Sequence, residues 1–110
     1  MDETTLINII NSLKLRMGIT EEHDVAILTE ILNDVISEVK ARRRYPRTMS
    51  AEQINADLSN YIWLIKEVVS GDYDKLGASS QDSHSENGIS RKFTDRSKLL
   101  DGIIPFATMF

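Results

Sequence analysis

Apolar residues recur three and four positions apart through most of the first seventy-odd residues, which is the signature of amphipathic helices. Leu6, Ile9 or Ile10, Leu13 and Met17 share one face of a helix expected from about Thr4 to Met17, and Gly18 supplies its stop. Thr20 offers the next N-cap, Glu21, Glu22 and Asp24 complement a helix start, and Val25, Leu28, Leu32, Val35 and Val39 form the cleanest apolar seam in the chain. Ile27, Ile31 and Ile36 flank that seam, so this second helix should touch more than one neighbour. Tyr45-Pro46 marks its end, because a proline lacks the amide hydrogen and pushes the residue before it away from helical dihedrals. Ser50-Ala51-Glu52-Gln53 has the spacing of a capping box. A third helix is expected from there to Gly71, with Ile54, Leu58, Tyr61 or Ile62, Ile65 and Val68 or Val69 inward. Trp63 falls off this stripe, as a rim residue or a contact to a neighbouring subunit.

The helical pattern stops at Gly77-Ala78-Ser79-Ser80-Gln81-Asp82. Asn87-Gly88 then favours a tight turn, since both residues tolerate positive φ, and predicts a β-hairpin with Ile89 and Phe93 on its second arm. A plain surface loop fits the same composition. Two short strands are marginal alone, so a hairpin would have to pack on the helices or pair with another chain. Beyond it, Ser97 can cap a short helix reaching about Ile103, and Pro105 forces an extended path. Leu99, Leu100, Ile103, Ile104, Phe106, Met109 and Phe110 make this last stretch strongly apolar. It either closes the protein's own core or docks on a partner. The expected fold is mainly α: a small helical bundle of three main helices plus a short β-hairpin and a C-terminal helix or tail. Within one domain, residues 1–76 form the bundle, 77–96 the loop and hairpin, and 97–110 the apolar helix or docking tail.

Composition narrows the chemistry. The 110 residues suit one domain, and a hydrophobic fraction of 41% with 27% charged residues is that of a globular protein. A net charge of -4 argues against a surface that grips nucleic acid throughout. With no cysteine, neither disulfides nor thiolate metal sites can form. The acidic N-terminal residues and the lack of a long apolar run predict no secretory signal, no membrane span and synthesis into the cytoplasm. His23 and His84 have no histidine partners at ligand spacing, and Ser83 and Ser85 beside His84 do not make a nucleophile without an orienting group and an oxyanion site. No catalytic, metal or cofactor residues are assigned, and an enzyme is not expected. Lys40, Arg42, Arg43, Arg44 and Arg47 form the basic cluster of note. It is either a solvated helix C-terminus or a contact for phosphate or acidic groups, and it supports a rival reading as a small helical DNA-binding regulator.

The segment Ser83-His84-Ser85-Glu86-Asn87-Gly88-Ile89-Ser90-Arg91, followed by Phe93 and by Leu99-Leu100-Asp101-Gly102-Ile103-Ile104-Pro105, resembles the small head-tail connector proteins of long-tailed double-stranded DNA bacteriophages, also called head completion or adaptor proteins. The resemblance extends over essentially the whole chain and rests chiefly on residues 83–93; the Gly77 to Gln81 stretch departs from the pattern. It implies a virion structural protein that forms a homo-oligomeric ring, commonly of twelve subunits, beneath the portal protein at the head-tail interface. Such a ring extends the DNA channel, seats stopper or tail-completion proteins, and lets DNA pass without sequence-specific binding. The resemblance implies a portal-docking role for Leu99, Leu100, Ile103, Ile104, Phe106, Met109 and Phe110. It places His84, Glu86, Asn87, Gly88, Ile89, Arg91 and Phe93 at assembly contacts. Tight phosphate binding by Arg42, Arg43 and Arg44 would oppose a sliding duplex, so these are expected to meet a neighbour's carboxylates or stay solvated, with weak contact to the channel DNA as the alternative.

Overall fold

The structure is a computed structural model that describes the backbone of residues 1–80 and 96–105, with side chains for 1–76 and 96–105. Helix α1 runs Glu3–Met17, opened by Asp2, whose carboxylate accepts from the Thr5 amide at 3.0 Å. Gly18 closes it at φ 67°, where a side chain would be strained, and the Ile19 amide returns to the Lys14 carbonyl at 2.9 Å. Helix α2, Glu22–Arg43, starts at Glu21 with no side-chain cap, so the Thr20 cap expected from sequence is displaced by one residue. It ends one residue short of Tyr45-Pro46, with Arg44 itself in the left-handed region at φ 52°.

The capping box at Ser50 and Gln53 forms with both bonds in place, 3.1 Å and 2.9 Å, and starts α3, Ala51–Leu58. The long third helix expected from there is broken by a 3-10 turn at Ser59–Tyr61. Ser59 donates its hydroxyl to the Ala56 carbonyl at 2.6 Å, a local bond that competes with regular helix geometry. Helix α4, Ile62–Ser80, then continues through Gly71 instead of stopping there. A glycine inside a helix costs about 1 kcal/mol relative to alanine. Gly71 is buried beside the core positions Val68 and Val69, and the packing of that turn outweighs the penalty.

The core joins Ile9 and Leu13 of α1, Leu28, Leu32, Val35, Ile36 and Val39 of α2, Leu58 of α3, and Leu64, Ile65, Val68 and Val69 of α4. Helices α2 and α4 form the most extensive pair, and α1 packs against both. Residues 96–101 are helical and bring Leu100 and Ile103 into the same core.

The expected bundle with an added hairpin is corrected to an all-helical fold. Four helices replace three, residues 77–80 extend α4 where a loop was expected, and no strand occurs among the described residues. The physical reason is pairing: each described element satisfies its backbone within a helix, so those elements offer no strand edge to two short strands. The residues assigned to the hairpin (His84, Glu86, Asn87, Gly88, Ile89, Arg91 and Phe93) lie outside the described residues, as do Phe106, Met109 and Phe110.

Candidate assembly surface and the arginine clasp

Segment 96–105 is held to the bundle by arginines as well as by its apolar residues. Arg43 sits one turn beyond Val39 on the buried seam of α2 and is only 8% exposed. Its Nε and Nη2 donate to the two oxygens of Asp57 in α3, both at 2.8 Å, a bidentate pair. Its remaining Nη1 donates to the Ile104 carbonyl at 2.9 Å, and its guanidinium lies 5.3 Å from the centre of the Tyr61 ring. Tyr45 adds a hydroxyl donated to Asp57 at 2.6 Å.

These groups tune one another. Burial pushes the Asp57 carboxyl up, but the bonds from Arg43 and Tyr45 and the charge of Arg43 outweigh it and hold the group below its ordinary value. The bond to Asp57 raises Arg43 further, against the opposing effect of burial. Burial, then the bond to Asp57 and its charge, raise the Tyr45 hydroxyl, so Tyr45 stays a neutral donor.

Two further arginines complete the clasp. Arg42 donates to the Leu100 carbonyl at 3.1 Å and lies 3.4 Å from Asp101, a more exposed and weaker contact. Arg96 bridges two helices, donating to Glu38 of α2 at 2.8 Å and to Asp72 of α4 at 2.8 Å. The bonds to Asp72 and then Glu38 raise its pKa well above that of a free arginine. No buried side-chain nitrogen or oxygen among the described residues lacks a partner.

This geometry redistributes the residues singled out in the sequence. Arg42 and Arg43, expected to meet a neighbour or solvent, bind carboxylates of their own chain, while Arg44 is exposed at the end of α2. Leu100 and Ile103, at 1% and 5% exposure, close the protein's own core, and Leu99 packs partly against it. Leu100 and Ile103 are thus turned inward, and Leu99 keeps part of its side chain at the surface. Ile104 is 66% exposed and faces outward beside the clasp. The importance of Arg43 had one legible signal: continuing the 3-4 spacing of Val35 and Val39 places it on the inward face, where a charge requires a partner. Nothing local paired it with Asp57, or Arg96 with Glu38 and Asp72.

Apolar surface remains elsewhere. Trp63 is 67% exposed on α4, consistent with its position off the apolar stripe. A groove of about 380 Å³ runs between α1 and α2, lined by Leu6, Ile7, Ile10, Val25 and Leu32 together with Glu3, Asn11, Lys14, Thr29 and Asn33. Among the described residues no helix is long and apolar enough to cross a membrane, and no group of histidines and carboxylates is placed to hold a metal ion.

A structure of helices, an arginine-clasped end segment and open apolar patches is one suited to assembly, and the comparison with known families identifies which kind. No curated protein and no solved structure matches this chain. The family described as phage gp6-like head-tail connector protein matches residues 8–104, a span that includes α1 through α4 and the clasped segment to Ile104. The chain belongs to the phage gp6-like head-tail connector family, and its general role is that of a structural connector of the virion.

Proposed function

We propose that this protein assembles as a ring beneath the portal of the DNA-filled capsid, extends the DNA channel, and seats the stopper or tail-completion proteins. The observation that carries the reading is the family match across residues 8–104. Helices with open apolar patches at Trp63, Ile104 and the α1–α2 groove supply surfaces for neighbours on several sides. The role is mechanical and non-enzymatic: the ring holds, aligns and lets DNA pass. The site is the head-tail interface, reached after assembly in the host cytoplasm. A net charge of -4 suits a channel through which a duplex slides without being gripped. The burial of Arg43 against Asp57 counts against the rival DNA-binding regulator, because it removes a central arginine from the Lys40 to Arg47 cluster.

The test is to add purified protein to portal-bearing, DNA-filled capsids and image the portal vertex by electron microscopy. Added ring density below the portal is expected, along with no retardation of duplex DNA at moderate salt. Bare portals after incubation, or tight salt-sensitive duplex binding, would overturn the reading.

A further inference from the structure

Two stripes of residues border the groove between α1 and α2. On α1, Glu3, Ile7, Ile10 and Lys14 line it at spacings of four, three and four residues, an acid and a base with two isoleucines between them. On α2, Thr29 and Asn33 line it, and Glu22 and Lys40 continue that stripe seven residues to either side. Seven residues are close to two helical turns, so all four share one face. Each stripe therefore reads the same in spacing from either end, with opposite charges at its two ends. The floor between them is apolar, with Leu6, Val25 and the fully buried Leu32, and Ile7 stands 51% exposed beside it.

Glu3, Glu22 and Lys40 are exposed and Lys14 is partly buried, and among the described residues none of the four makes an ion pair. The two helices run antiparallel, joined by the short loop from Gly18 to Glu21, and the Met1 amine feels the charge of Lys40 at the far end. Glu3 and Lys40 thus stand at one end of the groove, and Lys14 and Glu22 at the other. A second copy turned end for end, about a twofold axis running across the helices, lays α1 on α1 and α2 on α2, each pair antiparallel. Glu3 then faces Lys14 of the second copy, Ile7 faces Ile10, Glu22 faces Lys40 and Thr29 faces Asn33, and every pairing occurs twice. The Thr29 hydroxyl, which donates to the Val25 carbonyl at 2.8 Å, keeps its lone pairs for the Asn33 amide. The midpoints of both stripes lie about nine residues from the helix ends that the loop joins, so one axis serves both.

We propose that two copies of the free protein pair face to face through this groove, about that twofold axis, as a reversible dimer. A twofold contact closes on itself and does not propagate around a ring, so the dimer is a form apart from the ring and does not rest on that reading. The face is about 27 Å long on α2, from Glu22 to Lys40, and roughly 20 Å across two helices. It offers roughly 500 Å² per copy and about 1,000 Å² for the pair, which suits a weak contact. The apolar floor supplies the attraction, and the charges at the ends fix the register.

Sedimentation equilibrium of the full chain tests this, at about 0.15 M salt so that distant charges are screened. The wild type is expected to pass from monomer to dimer as its concentration rises. Glu3→Lys sets lysine against Lys14 at both ends of the dimer, and Lys14→Glu sets glutamate against Glu3. Each variant should raise the dimer dissociation constant about fivefold or more. Mixing the two variants in equal amounts restores opposite charges at both ends of the mixed dimer, and dimerisation should return to within about twofold of the wild type. A role of these charges within one chain, or a copy seated with α1 on α2, is not repaired by mixing. A protein that stays monomeric or passes straight to larger rings, a dimer that neither variant weakens, or a mixture no better than its components overturns the inference. Glu3 and Lys14 lie outside the core, so both variants keep the fold, which unchanged helical circular dichroism verifies.

Discussion

Asp57 is the residue on which the clasp depends, since its two oxygens receive Arg43 and Tyr45. Replacing Asp57 by Asn breaks a buried pair and leaves Arg43 without its counter-charge, at a cost of about 3–5 kcal/mol. For a domain of this size, whose whole stability is about 5–15 kcal/mol, urea unfolding of Asp57→Asn should show a transition near the limit of folding. Tyr45→Phe removes one hydrogen bond to a charged group and should cost less, about 1.5–3 kcal/mol. The pH dependence has a defined sign. The Asp57 pKa is depressed in the folded protein, so its contribution is complete above the unfolded value of about 3.9 and is lost as pH falls through the folded value. The Tyr45 pKa is raised, so its contribution is complete below about 10 and is lost as pH rises through the folded value. Stability from this network should form a plateau between these limits, and Asp57→Asn should flatten the acid side of a melting-temperature profile.

At the scale of the elements, short-range signals foretold much and long-range ones little. The Gly18 stop, the Ser50 capping box and the end of α2 before Tyr45-Pro46 are written in neighbouring residues, and the helices begin and end accordingly. The 3-10 break at Ser59–Tyr61 and the passage of α4 through Gly71 depend on packing between elements, which periodicity does not encode. Asn87-Gly88 favours a turn wherever it stands, but a hairpin also needs a strand partner, and the described elements are all helical. The clasped segment gives a sharp contrast between neighbours. Leu100→Ala should lose about 2–5 kcal/mol as a core truncation. Ile104→Ala, at an exposed position that bonds only through its carbonyl, should stay within about 0.5 kcal/mol. Paired denaturation curves decide this. Gly18→Ala meets no neighbouring atoms yet must adopt positive φ, and a loss of about 1–2 kcal/mol is expected from that strain alone.

At the scale of the whole molecule, segment 96–105 is part of the domain. Removing residues 96–110 strips Leu100 and Ile103 from the core, leaves Glu38 and Asp72 without Arg96, and takes the Ile104 carbonyl from Arg43. That truncation should yield a poorly cooperative melt. Removing only 106–110 should preserve the melt, while assembly on portal-bearing capsids falls. The apolar composition of residues 99–110 was legible in the sequence, but the split between the inward Leu100 and Ile103 and the outward Ile104 was not. That division is set by Arg42, Arg43 and Arg96, each reaching across 24 to 61 positions of sequence.

Two of these arginines hold the segment by its main chain, at the carbonyls of Leu100 and Ile104. A carbonyl is the same acceptor whichever side chain stands beside it. The outward residue at 104 can therefore change in size, charge or shape with the bond from Arg43 intact. Anchorage and recognition are separately adjustable here: a phage lineage can retailor the face it offers to a changing neighbour without rebuilding the fold that presents it.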